Sequence, residues 1–309
     1  PASIKAGPQE ANSSGVIGYT VTPSSNTGSP AFGFARIGTS AYSFIFLMTG
    51  IISPVRGKNK TGDCNIRFCT YNIRGDLPND GINSWKFRKD SLCKIINNHD
   101  FDIVCMQEVL ANQLEDIEQA TGYAFVGIRG LYNPIFYKAE RFELLHNEMF
   151  WLSETMAPFS KGWDGKYDRY CTWAKFRDRK SGRIFYVFNT HLDHKGRIAQ
   201  QEGAALVCRQ ARKFAGDAPL FICGDMNSFD TTDAYKEYTA HYKDSRTIAP
   251  HLLGPVGTAH NFGQVEPVRI DYIFVNDKIK ILDYTADDEH YPNGFFPSDH
   301  YAVFVNASL

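Results

Sequence analysis

The chain has no excess of either charge, no CxxC pair, no apolar run long enough to span a bilayer and no internal repeat, and each absence removes a class of protein. With 33 Lys and Arg against 34 Asp and Glu, the net charge is −1, so no global basic field advertises nucleic acid, and such a partner would need a local patch. The seven cysteines are an odd number without metal-type or redox-type spacing. Cys69, Cys105 and Cys223 fall inside apolar, strand-like runs and read as small buried thiols. That argues against a disulfide framework and leans toward a reducing, cytoplasmic compartment. Residues 41–52 (AYSFIFLMTGII) are too short to cross a bilayer, and Arg56, Lys58 and Lys60 follow the run instead of preceding it, the wrong flank for a signal peptide. Two readings of this run stay open: a targeting or membrane-touching segment of a secreted or membrane-associated protein, or an irregular strand or disordered arm.

What is present is the material of a large core. The 309 residues are 43% hydrophobic and 14% aromatic, as in a globular body. Residues 1–63 differ, being crowded with Ser, Gly, Thr, Pro and Asn; they read as an irregular or disordered extension, and the start at Pro1 reads as processing or truncation. From Ile66 the pattern becomes regular. Strands are expected at 66–74 and 101–107, each followed by a helical pattern: residues 85–98, with Trp85, Leu92, Ile95 and Ile96 in a stripe that Arg88 and Lys89 weaken, and a short one through Leu114, Ile117 and Ala120 that stops at Gly122. Residues 124–128, 134–138 and 142–151 look like consecutive antiparallel strands, and residues 156–168 like a loop. Strands at 171–177 and 184–191 pair across the hairpin turn RDRKSGR. Residues 197–214 give the clearest helix, with Ile198, Ala205, Val207, Cys208, Ala211 and Phe214 on or near one face. Three more strands, 269–275, 279–284 and 301–305, complete an α+β chain of mostly antiparallel strands in two sheets with outer helices.

The stretch 220–227, LFICGDMN, organises the rest. It reads as a buried strand that stops abruptly, where Gly224 turns the backbone tightly and presents Asp225 and Asn227 together at the carboxyl edge. A charge beside a buried strand is paired, hydrogen-bonded or on a metal. Polar residues recur at other strand ends: Asn72, Glu108, His191, Asp271 and the Asp299-His300 pair. Any one of them has an ordinary explanation as a turn, a cap or a satisfied core histidine. Together, carboxylates, amides and two histidines at one sheet edge supply a metal site, a water-orienting pair and proton carriers.

In order, TYNIRGD, the QE of MQEV, NTHLDH, GDMNS, RIDYIF and PSDH resemble the motifs of the endonuclease/exonuclease/phosphatase superfamily. The resemblance runs from about Ile66 to Leu309 and implies a catalytic domain at 64–309. The implied fold is a four-layer α/β/β/α sandwich, and the implied activity is Mg²⁺-dependent cleavage of a phosphate ester, with Mn²⁺ as a substitute. Carried over by position, it makes Glu108 the principal metal ligand with Asn72 beside it and Asp299 in the same acidic pocket, an oxygen set suited to a hard cation. Asp225 and Asn227 would orient the attacking water, His191 would donate to a phosphoryl oxygen, and His300, held by Asp271, would be a second phosphate contact or proton carrier. The base is left open between His300 and Asp225. A narrower pattern adds His194 with Asp193 in HLDH, and Thr258 and His260 in GTAHNF, as pocket residues. Arg169 reads as a phosphate clamp or a surface charge, and Trp173 as core. The implied partner is a phosphate-ester substrate, nucleic acid among the candidates, with a monomeric protein and no stable protein partner. The alternatives are a sphingomyelinase-type lipid phosphodiesterase, which needs a membrane-touching segment, and a catalytically inactive binding module, which would have lost a motif position.

Overall fold

Alternation along the strand Leu220–Asp225 (β8) decides the layers. Phe221 and Cys223 face one way, Leu220 and Ile222 the other, and all four are buried, so apolar material must cover both faces. In the computed structural model, which describes residues 64–289 and 295–309, two sheets packed face to face with helices outside meet that requirement. Sheet A runs, from edge to edge, β10 (Leu252–Leu253), β12 (Lys280–Asp287), β13 (Ala302–Ser308), β1 (Asn65–Asn72), β2 (Ile103–Gln107), β4 (Ile135–Tyr137) and β3 (Ala124–Val126). Sheet B runs β5 (Phe142–Trp151), β6 (Tyr170–Asp178), β7 (Ile184–His191), β8, β11 (Asp271–Val275) and β9 (Lys243–Asp244).

Three apolar clusters make the four layers. Between the sheets, Phe68, Ile103 and Val305 meet Phe176, Val187 and Phe221, and the Phe68 and Phe221 rings stack with centroids 4.2 Å apart. Outside sheet A, Trp85, Leu92 and Ile96 of α1 (Trp85–His99) and Leu114 and Ile117 of α2 (Ala111–Thr121) cover Tyr71, Val104 and Met106. Outside sheet B, Val207 and Ala211 of α3 (Arg197–Ala215) and Tyr238 of α4 (Asp233–Thr239) cover Trp173, Phe188, Ile222 and Phe274. Full burial of one such large apolar side chain contributes about 1.5–3 kcal/mol. A one-turn helix α5 (Ser245–Ile248) packs at the β9 edge. All seven cysteines are buried and unpaired. Among the described residues, no helix is long and apolar enough to cross a membrane. The extension at residues 1–63, with the apolar run 41–52, lies outside the described residues.

Each sheet carries one central parallel pair, β1–β2 and β7–β8, and this positions the chemistry. The register sets Asn72 opposite Gln107 in the first pair and His191 opposite Asp225 in the second, so both pairs end together. The antiparallel neighbours begin there: Asp271 of β11 lies opposite Asp225, and Asp299 and His300 directly precede β13.

Four expectations are corrected. Strand 142–151 does not continue the antiparallel run of 124–128 and 134–138, because β5 crosses to sheet B and pairs with β6. Ile198 is 54% exposed; the first turn of α3 buries Ala199 and Gln200 instead. Ala120 is likewise exposed, at the outer face of α2. Gly224 does not end the strand. It stays paired with Thr190 and Tyr272 at φ 141°, and a Cβ there would meet Thr190 O at 1.8 Å, so the glycine permits close approach of β7.

Candidate active site

On the sheet A side, β2 leaves its last buried residue through Glu108 in the left-handed region, φ 64°, a conformation that costs a non-glycine residue about 1–3 kcal/mol and persists only where the surroundings impose it. The surroundings are visible. Asn72 Nδ2 donates to Glu108 Oε1 (3.0 Å), the Gly75 N–H donates to Glu108 Oε2 (3.2 Å), and Asn72 Oδ1 accepts from the Arg74 N–H (3.0 Å). Asp299 lies beside them, 3.6 Å from Arg74 Nη1, and burial together with the Glu108 charge raises its carboxyl against the opposing pull of His300. Ser298 Oγ donates to Asn72 O (2.6 Å), tying the loop before β13 to the end of β1.

Arg88, which interrupts the apolar stripe of α1, is only 2% exposed and, among the described residues, has no carboxylate hydrogen-bonded or ion-paired to it. Its guanidinium instead donates to the carbonyls of Ile73, Arg74 and Gly75 on the loop after β1, Asn83, and Pro297 on the loop before β13. One side chain therefore ties the loop after β1, whose Gly75 N–H holds Glu108, to the loop that carries Asp299. A second pair was missed in the sequence. Gln107 Nε2 donates to Asn189 Oδ1 (2.7 Å), and Asn189 Nδ2 donates to Met106 O and Pro134 O, locking the two sheets together directly beneath the site. The available signal was an amide closing each of two apolar runs, FDIVCMQ and IFYVFN.

On the sheet B side the groups are deeper. Three nitrogens converge on Asp225 Oδ2: Asn72 Nδ2 donates to it at 3.0 Å, and His191 Nε2 and His300 Nε2 stand at 3.3 and 3.9 Å. Its Oδ1 accepts from the Asn227 N–H (2.9 Å). Asn227 does not continue the strand; it turns into the left-handed region at φ 47° and donates through Nδ2 to Leu192 O. Behind His300, Nδ1 lies 2.8 Å from Asp271 Oδ2, which also accepts from Thr258 Oγ1 (2.6 Å). Burial and the neighbouring Asp271 charge push the Asp225 carboxyl up to about 7, against the pull of His300. Burial, with the charges of Arg169 and His300, drives His191 well below its ordinary value, so it is neutral. Burial also works against the charged form of His300, but Asp271, Asp225 and Asp299 outweigh it and hold the imidazolium well above its ordinary value. The two histidines are thus driven apart in protonation state, His191 toward the imidazole and His300 toward the imidazolium.

At the rim, Asp193 is buried and spends both oxygens on backbone N–H groups of Lys166, Tyr167, Lys195 and Gly196, which lower its carboxyl despite the burial. His194 stands exposed on the Tyr167 ring, and Arg169 lies 5.3 Å over the same ring. His260 packs behind the cluster against Tyr301, its Nδ1 accepting from the Gly263 N–H, and burial pushes it down to about 4. Trp173 is core, stacked on Phe214.

The donor set fits a hard cation on the sheet A side. Glu108 and Asp299 place two carboxylates close enough for one to raise the other, and their chemistry is oxygen-only. Asn72 faces Glu108 through its nitrogen, its oxygen being engaged by Arg74. The ligand atoms of Asp225, Asp271 and His300 also lie within 4.8 Å of one another, but they are already joined by the hydrogen bond between Asp271 and His300.

The sequence profile of the Endonuclease/Exonuclease/phosphatase family matches residues 69–300. The chain belongs to that family. It is a phosphoesterase, a hydrolase of ester bonds. A family structure from Bacteroides vulgatus superposes with a TM-score of 0.76 at 34% identity, over 80% of this chain and 99% of that one. The Bacteroides thetaiotaomicron mannosyl-6-phosphatase superposes with 0.73 at 29% identity, over 78% and 99%. Among curated proteins, the Ccr4 exoribonuclease subunit of Aspergillus oryzae is 25% identical over 72% of this chain and 43% of its own length, and Nocturnin of Drosophila melanogaster 24% over 73% and 42%. The chain thus spans less than half the length of these curated relatives.

Proposed function

We propose that residues 64–309 form a Mg²⁺-dependent catalytic unit that hydrolyses a phosphate ester carried on a sugar or nucleoside, by in-line attack of water. The observation that carries this reading is the convergence of Asn72, His191 and His300 on one oxygen of Asp225, a ready-made set of donors around a position that a phosphoryl oxygen can share. Glu108, with Asp299 and Asn72 beside it, would hold the cation, and Mn²⁺ would substitute. The cation supplies charge neutralisation at the phosphoryl group when bound. Asp225, raised toward neutrality, accepts the proton of the attacking water, while Asn227 fixes the carboxylate through its N–H. His300 remains protonated against Asp271 and stabilises negative charge developing on the phosphoryl oxygens, and neutral His191 donates from the other side. The mannosyl-6-phosphatase likeness supports a sugar-borne ester, and the Ccr4 and Nocturnin likenesses a nucleotide-borne one.

The test is turnover of p-nitrophenyl phosphate, its bis ester, sugar phosphates and RNA with Mg²⁺, Mn²⁺ or EDTA. Asp225→Asn is expected to lower kcat about 10²–10⁴-fold, the range of a positioned base. Glu108→Gln is expected to weaken binding of Mn²⁺ with the circular dichroism spectrum unchanged. Full turnover in EDTA, or a Glu108→Gln enzyme indistinguishable from the parent, sinks the assignment.

A further inference from the structure

Beside the phosphate pocket, a group of cations gathers without carboxylate partners. It centres on Tyr167: Lys166 Nζ and Arg169 Cζ each lie 5.3 Å from its ring centroid, and the His194 ring stacks on it at 5.3 Å. Lys195 follows His194, and its charge acts on that imidazole together with those of Arg169 and Lys166. Among the described residues, none of Lys166, Arg169 and Lys195 forms an ion pair with an acid. The acid two positions before Lys195 is engaged elsewhere. Asp193 holds the backbone N–H groups of Lys195 and Gly196 on Oδ1 at 2.7 and 2.8 Å, and those of Lys166 and Tyr167 on Oδ2 at 2.8 Å each.

That arrangement assembles like charges while engaging Asp193 with backbone N–H groups, and among the described residues exposed Asp168, between Tyr167 and Arg169, forms no ion pair with them. It is an unusual concentration in a chain whose net charge is −1, and a cleft lined by one sign of charge focuses its field on a counter-ion. The cluster is also fixed, because Asp193 joins two loops, residues 166–167 and 195–196, in one frame. Arg169 links it to the chemistry. Its charge reaches His191, and its buried Nε has no partner.

Resting on the phosphoesterase reading, we propose that Lys166, Arg169 and Lys195, arrayed on the Tyr167–His194 stack, form a second anion subsite that takes a second phosphate group of the same substrate. A terminal phosphate presents three strong acceptor oxygens and close to two negative charges, matching a guanidinium fork and two ammonium groups. Asp193 is the positioning residue of this subsite. The second phosphate belongs either to a nucleotide or to a sugar bisphosphate; the subsite chemistry is the same, and the substrate pairs below separate the two.

The experiment compares kcat/KM within two pairs: thymidine 5′-(p-nitrophenyl phosphate) with and without a 3′-phosphate, and mannose 1,6-bisphosphate against mannose 6-phosphate. In one pair the bisphosphorylated member is expected to be preferred by about tenfold or more, the worth of one charge-assisted hydrogen bond. Lys166→Ala/Lys195→Ala should abolish the preference, Lys166→Arg/Lys195→Arg should keep it, and rising salt should erode it. No preference in either pair, or a preference that survives in the alanine variant, overturns the subsite. Calorimetric binding of thymidine 3′,5′-bisphosphate and of mannose 1,6-bisphosphate in EDTA separates this failure from failure of the phosphoesterase reading. If no ester is turned over, weaker binding of either ligand by the alanine variant still upholds the subsite, and equal affinities for both overturn it.

Discussion

Sheet A delivers its acids on loops, with Glu108 at positive φ and Asp299 within reach of Arg74, whereas sheet B delivers His191, Asp225 and Asp271 from strand residues no more than 4% exposed. The first side is held by backbone carbonyls gathered on Arg88, the second by side chains bonded to one another. The difference teaches how each side should fail. Groups on a loop lose position by degrees, so damage near Glu108 should appear as weakened cation binding. Groups in a closed network act as a unit, so damage near Asp225 should appear as lost rate with strong coupling.

The largest effects are expected on the network side. Removing one preorganised donor costs about 10²–10³ in rate. His191→Ala and His300→Ala should each fall at least that far, and the double variant should lose less than the product, because groups acting as a unit are non-additive. A double-mutant cycle on kcat/KM, with circular dichroism and Mn²⁺-binding controls, decides this. Simple additivity, or losses under about tenfold, would leave one histidine structural and collapse the contrast.

A smaller and different effect is expected at Arg88. Arg88→Lys preserves the charge but cannot span the five carbonyls. It should weaken Mn²⁺ binding, read by electron paramagnetic resonance, about 10–100-fold, as loss of a ligand-orienting contact does. A variant with a lower melting temperature and unchanged Mn²⁺ affinity would show that the loops hold themselves. Smallest is the contribution of His260 to acid sensitivity. Burial lowers it from 6.5 to about 4, so the folded state binds fewer protons than the unfolded one. Its share of stability is complete above pH 6.5 and is lost as pH falls toward 4. Melting temperatures of His260→Gln should therefore decline less steeply over that interval than those of the parent.

Much of this was legible in the chain. The period-2 burial of residues 220–223 and the polar residues closing successive strands announce two covered sheets with their chemistry at one edge, and the parallel pairs put those residues there. What local pattern could not carry was contact between distant segments. Gly224 looks like a turn residue, yet its role is set by Thr190, a neighbour only in space. Arg88 looks like a flaw in an amphipathic helix, because its partners lie up to 209 positions away. The transfer of β5 to sheet B was hidden for the same reason, since antiparallel alternation is identical whichever sheet receives the strand.

The buried cysteines give the molecule a record of its own opening. Burial pushes the Cys93 thiol up to about 11 and Cys208 up to about 12, and Cys105 well above its usual value, so reagents find neither access nor thiolate while the layers are closed. Each thiol belongs to a different cluster: Cys93 on the buried face of α1, Cys208 on that of α3, Cys105 between the sheets. Modification in the native state therefore reports transient separation of one named interface at a time. If an outer helix lifts more readily than the sheets part, Cys93 or Cys208 will be modified before Cys105, and the order of labelling will rank the three interfaces by the free energy that keeps them shut.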